Sequence, residues 1–297
     1  MRIDKVGIVG LGSIGSLYAQ QFMKALGSDN VLVIADDERI ARYRRDGLII
    51  NGERVPLRYV CQSELEPVDL LIFATKFYDL EQAMELAKGA VKDDTVILSF
   101  INGVTSEDLI SRKLGSGHVL YSTVQGMDVK KEGSCAEIGS RGFVVLGDKS
   151  NAATEELKAV QDIFDRAGIR YVIPEDILKE LYSKWMCNVG LNQTCAFCGM
   201  GYGAVHPGGP YHEMFRAAME EARQCAAAEG IGLTDSDIEH WVKIVGGLDP
   251  SGGPSMLQDV IAGRRTEIDL FAGTVIRLAE KHGIPVPINE EFFRRLS

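Results

Sequence analysis

Short apolar runs alternate with helical patterns through the first half of the chain. KVGIV (5–9), VLVIA (31–35), DLLIFAT (69–75), TVILSF (95–100) and HVLYSTV (118–124) are nearly continuous in apolar character. Strands buried on both faces have that signature. Helical spacing fills 14–26, 78–90 and 105–114 between them. Such alternation predicts a parallel sheet covered on both faces by helices. GFVVLGD (142–148) and IRYVI (169–173) extend the β content around a helix near 152–167.

After Pro174 the pattern changes. Helical patterns occupy 175–198, 209–230, 235–246, 255–262 and 266–282, with no convincing strand. The expectation is an α/β domain over 1–173 followed by an all-α domain over 174–297. The glycine-rich GMGYGAVHPGGP (199–210) reads as a flexible loop between helices. No internal repeat or low-complexity tract interrupts the chain.

One helical segment breaks the rule that a buried helix is apolar. In LYSKWMCNVGLNQTCA (181–196), Lys184, Asn188 and Asn192 recur every fourth residue. At about 100° per residue they drift slowly and form one polar stripe, shared with Ile177, Leu181 and Cys195. Met186, Val189 and Phe197 lie on the opposite side, so no water-facing surface is left over. A stripe of this kind is either the wall of a pocket or an interhelix hydrogen-bond network.

Composition adds limits. The 297 residues carry a formal charge of −10, which argues against nucleic acid or an anionic membrane as a partner. No window reaches the ~18 apolar residues of a membrane span. The N-terminal MRIDKVGIVGLG is too short in its apolar run, and too interrupted by Asp4 and glycines, for a signal peptide. Six scattered cysteines read as reduced thiols in a cytoplasmic protein. Cys195 and Cys198 form a CxxC with no second pair at zinc-ligand spacing, so helix packing explains them. His206 and His212 sit in the glycine loop, and no metal site is expected.

Gly10-x-Gly12-x-x-Gly15 follows the first strand and opens the first helix, the context in which this spacing binds a dinucleotide. Gly10 permits the tight turn, Gly12 admits a pyrophosphate to the backbone amides, and Gly15 lets helix and strand meet. The cofactor loop is thus Gly10, Leu11, Gly12, Ser13, Ile14 and Gly15 of a Rossmann-type domain, with phosphates at the helix N-terminus. Asp36 ends the second strand, where a carboxylate takes both adenosine ribose hydroxyls and disfavours a 2′-phosphate. Arg39, Arg42 and Arg44 follow and favour the opposite choice, so NADH and NADPH both stay open. Ligands in open α/β sheets bind beyond the carboxyl ends of the strands. Thr75-Lys76 and Asn102-Gly103 lie at two such ends. Further on, Ser255 with Gln258 forms a capping-box pattern and Gly263 can end that helix. Thr266 with Asp269 can cap the next one, which places Glu267 in its first turn beside the helix dipole.

These segments resemble the ketopantoate reductases (2-dehydropantoate 2-reductases) almost end to end. The resemblance is carried by the glycine motif, ATK, INGV, LYSKWMCNVGLNQTCA and PSMLQDVIAGRRTEID. It implies a Rossmann-type domain followed by a helical domain like the C-terminal domain of 6-phosphogluconate dehydrogenase, with the active site in the cleft between. It also implies reduction of ketopantoate to pantoate on the route to pantothenate and coenzyme A. Carried over by position, Lys184 is the general acid and Glu267 the second catalytic carboxylate. Asn188 and Asn192 line the substrate pocket. Asn102 and Ser255 hold polar groups of the substrate, and Lys76 lies near nicotinamide and substrate. The resemblance implies NADPH, yet Asp36 stands where the family usually has an arginine that reads its phosphate; NADH is the alternative. Partners are then a small 2-oxoacid, with a homodimer through the helical domain left open. Competing readings are a reductase of another 2-oxoacid, a β-hydroxyacid dehydrogenase on the same fold, and a non-catalytic NAD(P)-sensing regulator.

Overall fold

The computed structural model describes residues 1–115 and 118–297. The chain divides into two compact units, Met1–Ile177 and Leu178–Ser297.

The first unit is built on one sheet. Its strands are β1 (Val6–Val9), β2 (Val31–Ile34), β3 (Leu48–Ile50), β4 (Glu53–Val55), β5 (Arg58–Val60), β6 (Leu70–Phe73), β7 (Val96–Ser99), β8 (Val119–Glu132), β9 (Cys135–Gly147) and β10 (Tyr171–Val172). Its helices are α1 (Ser13–Leu26), α2 (Asp37–Asp46), α3 (Leu80–Ala87), α4 (Ser106–Leu114) and α5 (Glu155–Arg166). The strand order is β4-β3-β9-β8-β7-β6-β1-β2-β5, with β10 beside β9. From β5 to β8 every neighbouring pair is parallel. β1, β2, β6 and β7 are buried at every residue, which is why they read as unbroken apolar runs. Side chains alternate between two cores: Ile8, Val33, Ile72 and Leu98 face α1 and α5, whereas Val9, Leu32, Leu71 and Ile97 face α3. The order reverses at β1, which pairs with β2 on one side and β6 on the other. A crevice for a ligand forms at such a switch point, at the carboxyl end of the sheet.

Two β-hairpins lie outside the parallel expectation. Asn51 and Gly52, at φ +49° and +82°, make the tight turn between β3 and β4. β8 and β9 run antiparallel from Tyr121–Gly147 to Glu132–Cys135, closed by Gly133 and Ser134. Their outer halves alternate between exposed and half-buried residues, so no apolar run announces them.

The second unit is all-helical: α6 (all but its first residue; Ile177–Cys198), α7 (His212–Ala228), α8 (Asp235–Gly246), α9 (Ser255–Ile261), α10 (Ala272–His282) and α11 (Pro287–Leu296). The Gly-rich stretch before α7 is packed, contrary to its expected flexibility. A Cβ on Gly201 would lie 2.4 Å from the Gly252 carbonyl oxygen, and one on Gly209 would lie 2.5 Å from that of Ala204. Tyr202 and Gly203 donate their amides to the carbonyls of Gly252 and Pro250 at 2.8 and 3.0 Å. Gly201, Gly203 and Gly209 serve close approach of backbone, whereas Gly199 and Gly208 stand at φ +68° and +81° with open space beside them.

Candidate active site

In the first unit the chain leaves β1 through Gly10, whose φ of +97° suits glycine alone. A Cβ there would sit 2.7 Å from the Ala74 carbonyl oxygen, and one on Gly15 would sit 1.9 Å from that of Gly10. Both positions bring backbone against backbone. Gly12 is different: its Cβ would meet nothing within 4 Å, so this face of the turn is open. It is the N-cap of α1, with no side-chain capping bond and no acid in the first turn. No side chain of the loop competes for the first amides, and the helix dipole favours an anion there. Leu11 is buried, with Ser13 and Ile14 half-buried around the turn. These residues fit a dinucleotide pyrophosphate.

Asp36 follows β2 and caps α2. Its Oδ1 accepts the Arg39 amide at 2.7 Å, and its Oδ2 pairs with Arg39 Nη1 at 2.6 Å. Arg44 is engaged elsewhere, 2.6 Å from Glu64, and Arg42 lies over the Tyr43 ring. Lys76 follows β6 and Asn102 follows β7; both are half-buried. β6 and β7 are adjacent and parallel, so these two residues share the carboxyl edge of the sheet with the glycine loop.

In the second unit, α6 is locked in rotation by three side chains that flank the polar stripe. Ser183 Oγ accepts Trp241 Nε1 at 2.9 Å, and Trp185 Nε1 donates to the Leu270 carbonyl at 3.3 Å. Fully buried Gln193 donates to the Val189 carbonyl and Asn289 Oδ1 and accepts the Ala272 amide, at 2.7, 3.0 and 2.8 Å. The stripe therefore has one orientation. Asn192 donates to Asn188 Oδ1 at 3.2 Å, and its own Oδ1 accepts from Ser255 Oγ and the Met256 amide, both at 3.3 Å. Lys184 is half-buried on the same helix. Burial pushes its ammonium down from the ordinary lysine value of 10.5 to about 8, while the Glu267 carboxylate pulls it back up. Burial raises the Cys187 thiol to about 12, so it stays protonated.

The environments of Ser255 and Glu267 differ from expectation. Pro254 is the N-cap of α9, and the Ser255 hydroxyl goes to Asn192 instead of closing a capping box. Gln258 donates to the Gly253 carbonyl. Gly263, at φ +63°, does end this helix: its amide meets the Val260 carbonyl and that of Arg264 meets Asp259. Thr266 caps nothing and donates to the Leu296 carbonyl. The next helix starts at Ala272, so Glu267, only 7% exposed, stands before it and outside its first turn. Tertiary partners outcompete local capping at both places. Sequence reasoning missed the Met256 amide, which no side-chain signal could have shown.

Cys198 Sγ donates to the Cys195 carbonyl within α6, and all six cysteines are free. Among the described residues no group of three or more His, Cys, Asp or Glu converges as a metal site, and no helix is long and apolar enough to cross a membrane.

Two family models match, ketopantoate reductase PanE/ApbA over residues 6–151 and ketopantoate reductase PanE/ApbA C terminal over 176–297. The chain belongs to the ketopantoate reductase PanE/ApbA family. It is an NAD(P)-dependent oxidoreductase of the 2-oxoacid reductase class. A 2-dehydropantoate 2-reductase of Archaeoglobus fulgidus is 28% identical over 293 residues, 97% of this chain and 95% of that protein. A PanE/ApbA family ketopantoate reductase from Ralstonia eutropha superposes with a TM-score of 0.84 at 27% identity, covering 98% of this chain and 96% of that one. D-mandelate dehydrogenase, solved with NADH and anilino(oxo)acetate, superposes with a TM-score of 0.87 at 25% identity, covering 98% and 97% of the two chains.

Proposed function

We propose that this family member reduces ketopantoate to pantoate, with Lys184 as the proton donor. The observation that carries the reading is the α6 stripe: an amine held near neutral pKa by burial, beside a hydrogen-bonded Asn188–Asn192–Ser255 chain and within electrostatic range of Glu267. NAD(P)H supplies the hydride when bound, its pyrophosphate taken by the Gly10–Gly15 turn. Reduction of a ketone places negative charge on its oxygen, which an ammonium both stabilises and protonates. Lowering the lysine pKa brings the proton within the range the reaction can use. Glu267 opposes that drop and keeps enough amine charged. The two asparagines and Ser255 bind oxygen atoms of the substrate without altering this charge balance. Asn102 and Lys76 serve the nicotinamide and substrate from the first unit. Six cysteines without disulfides support a cytoplasmic setting.

For the cofactor we favour use of both nucleotides with a lean to NADH. Asp36 presents the ribose-binding carboxylate, while its ion pair with Arg39 offsets the repulsion of a 2′-phosphate.

A second reading keeps the chemistry and changes the 2-oxoacid. It is favoured by the likeness to D-mandelate dehydrogenase, whose bound anilino(oxo)acetate is an oxoacid amide with an aryl group. The test is a panel of branched and aryl 2-oxoacids with NADH and NADPH in parallel. Ketopantoate should give the highest kcat/KM. An aryl oxoacid ahead of it by tenfold or more would replace this assignment, and no turnover at all would favour a nucleotide sensor.

A further inference from the structure

β7 ends at Ser99 and α4 begins at Ser106, so the loop 100–105 that carries Asn102 starts and finishes beside two serines. Their hydroxyls are joined. Ser99 Oγ donates to Ser106 Oγ at 2.8 Å, and Ser106 Oγ donates to Glu107 Oε2 at 2.8 Å. All three residues are buried, Glu107 at 1% exposure. Ser122 of β8 donates its hydroxyl to the Ser99 carbonyl at 2.8 Å, which fixes one end of the chain on the sheet. The other end is the buried Glu107 carboxyl, within reach of its own backbone amide and that of Ser122. The proposed reduction has no use for this acid.

We propose that Glu107 is a positioning residue, which clamps the base of the Asn102 loop through the Ser106 and Ser99 hydroxyls. Both hydroxyls donate toward the acid, so the charge on that acceptor sets the strength of the chain. A charge-assisted bond is roughly twice as strong as a neutral one, and each bond polarises the next. Burial pushes the Glu107 carboxyl up to about 7, with the Ser106 bond and the Glu107 and Ser122 backbone amides pulling the other way. Ionised, Glu107 draws the loop ends together; protonated, it releases part of that hold. The charged group that acts on it is Asp108 on the same helix, itself bonded to Tyr121 of β8 and Lys149 after β9. Asp108 adds to the upward push on Glu107.

The inference rests on the reading that Asn102 touches cofactor or substrate. The experiment measures the NAD(P)H dissociation constant and the ketopantoate KM from pH 6 to pH 8 in wild type, Glu107→Gln, Ser106→Ala and Asn102→Ala. In wild type at least one constant should rise roughly fivefold below pH 7, the scale of losing charge assistance. Glu107→Gln can still accept from Ser106 but without charge, so it should show the acid-form value at every pH. Ser106→Ala should be equally flat, and the kcat limb set by Lys184 should persist in both. A flat wild type, or a wild-type slope retained in Glu107→Gln and Ser106→Ala, overturns the clamp. Unchanged constants in Asn102→Ala would overturn the reading of Asn102 itself, and the clamp with it.

Discussion

Ser255 donates its hydroxyl proton to the side-chain oxygen of Asn192, 63 positions earlier in the chain, at 3.3 Å. The same oxygen takes the Met256 amide, which can only donate. The Asn192 amide is therefore fixed, with its NH2 toward Asn188 Oδ1. Asn188 is left presenting NH2 one turn from the Lys184 ammonium. Two adjacent donors on one helix face suit a ligand whose polar atoms are oxygens, as in a 2-oxoacid. Asn188→Asp reverses one donor, so it should raise the KM for a 2-oxoacid by roughly tenfold or more, the scale of an unpaired buried polar group. A KM within twofold of wild type would show that this amide faces no substrate.

The glycine loop makes two variants separable. Gly12→Ala should lose no more than about 1 kcal/mol, as a poorer N-cap whose methyl meets no protein atom, yet bind NAD(P)H at least roughly tenfold more weakly by blocking close approach to the backbone. Gly15→Ala drives a methyl to 1.9 Å from the Gly10 carbonyl and should cost about 2 kcal/mol or more. Urea midpoints with fluorescence titration of NADH check both. Equal stability of the two variants would contradict the packing described.

On the proposed reading, cofactor choice depends on Asp36 and Arg39, which hold each other in an ion pair. Arg39→Ala frees Asp36 from its ion pair and should lower the preference for NADPH over NADH severalfold, measured as a ratio of kcat/KM values. Asp36→Ala should move the ratio the other way. It also removes the α2 cap, at about 1 kcal/mol. A ratio unmoved by either change would place nucleotide discrimination elsewhere.

Lys184 links stability to pH with a definite sign. Its pKa is about 8 in the folded chain against an ordinary 10.5, so between these values the unfolded chain binds more protons and stability rises with pH. Below about pH 8 the cost of burying the charged amine is fully present; it is relieved as pH climbs toward 10.5. Lys184→Met should therefore be more stable than wild type at pH 7, by a margin that shrinks at pH 9.5. Equal margins in denaturant titrations at the two pH values would mean that the amine is not desolvated.

Much of the fold was legible because burial on both faces writes an unmistakable pattern. β1, β2, β6 and β7 are apolar throughout, and Gly10–Gly15 could be assigned from its place between strand and helix. The β8–β9 hairpin was not, because its outer half alternates between solvent and partial cover. Its Gly133-Ser134 turn and the Asn51-Gly52 turn of β3–β4 were the available signals, as was Pro287 at the start of the overlooked α11. The polar stripe of α6 was visible as periodicity alone. Its orientation was not, since Gln193, Ser183 and Trp185 are held by residues distant in sequence. Ser255 and Thr266 illustrate the same limit: local spacing proposed caps, and tertiary partners took the hydroxyls.

The most direct test compares wild type with Lys184→Ala for ketopantoate reduction, with the NAD(P)H dissociation constant measured beside turnover. Wild-type kcat should fall as pH rises through about 8, as the donor loses its proton. Lys184→Ala should lose that limb and at least about 10²-fold in kcat at pH 7, with cofactor affinity unchanged. Wild-type turnover in the variant, or a decline that persists at the same pH, would contradict the assignment of Lys184 as the proton donor.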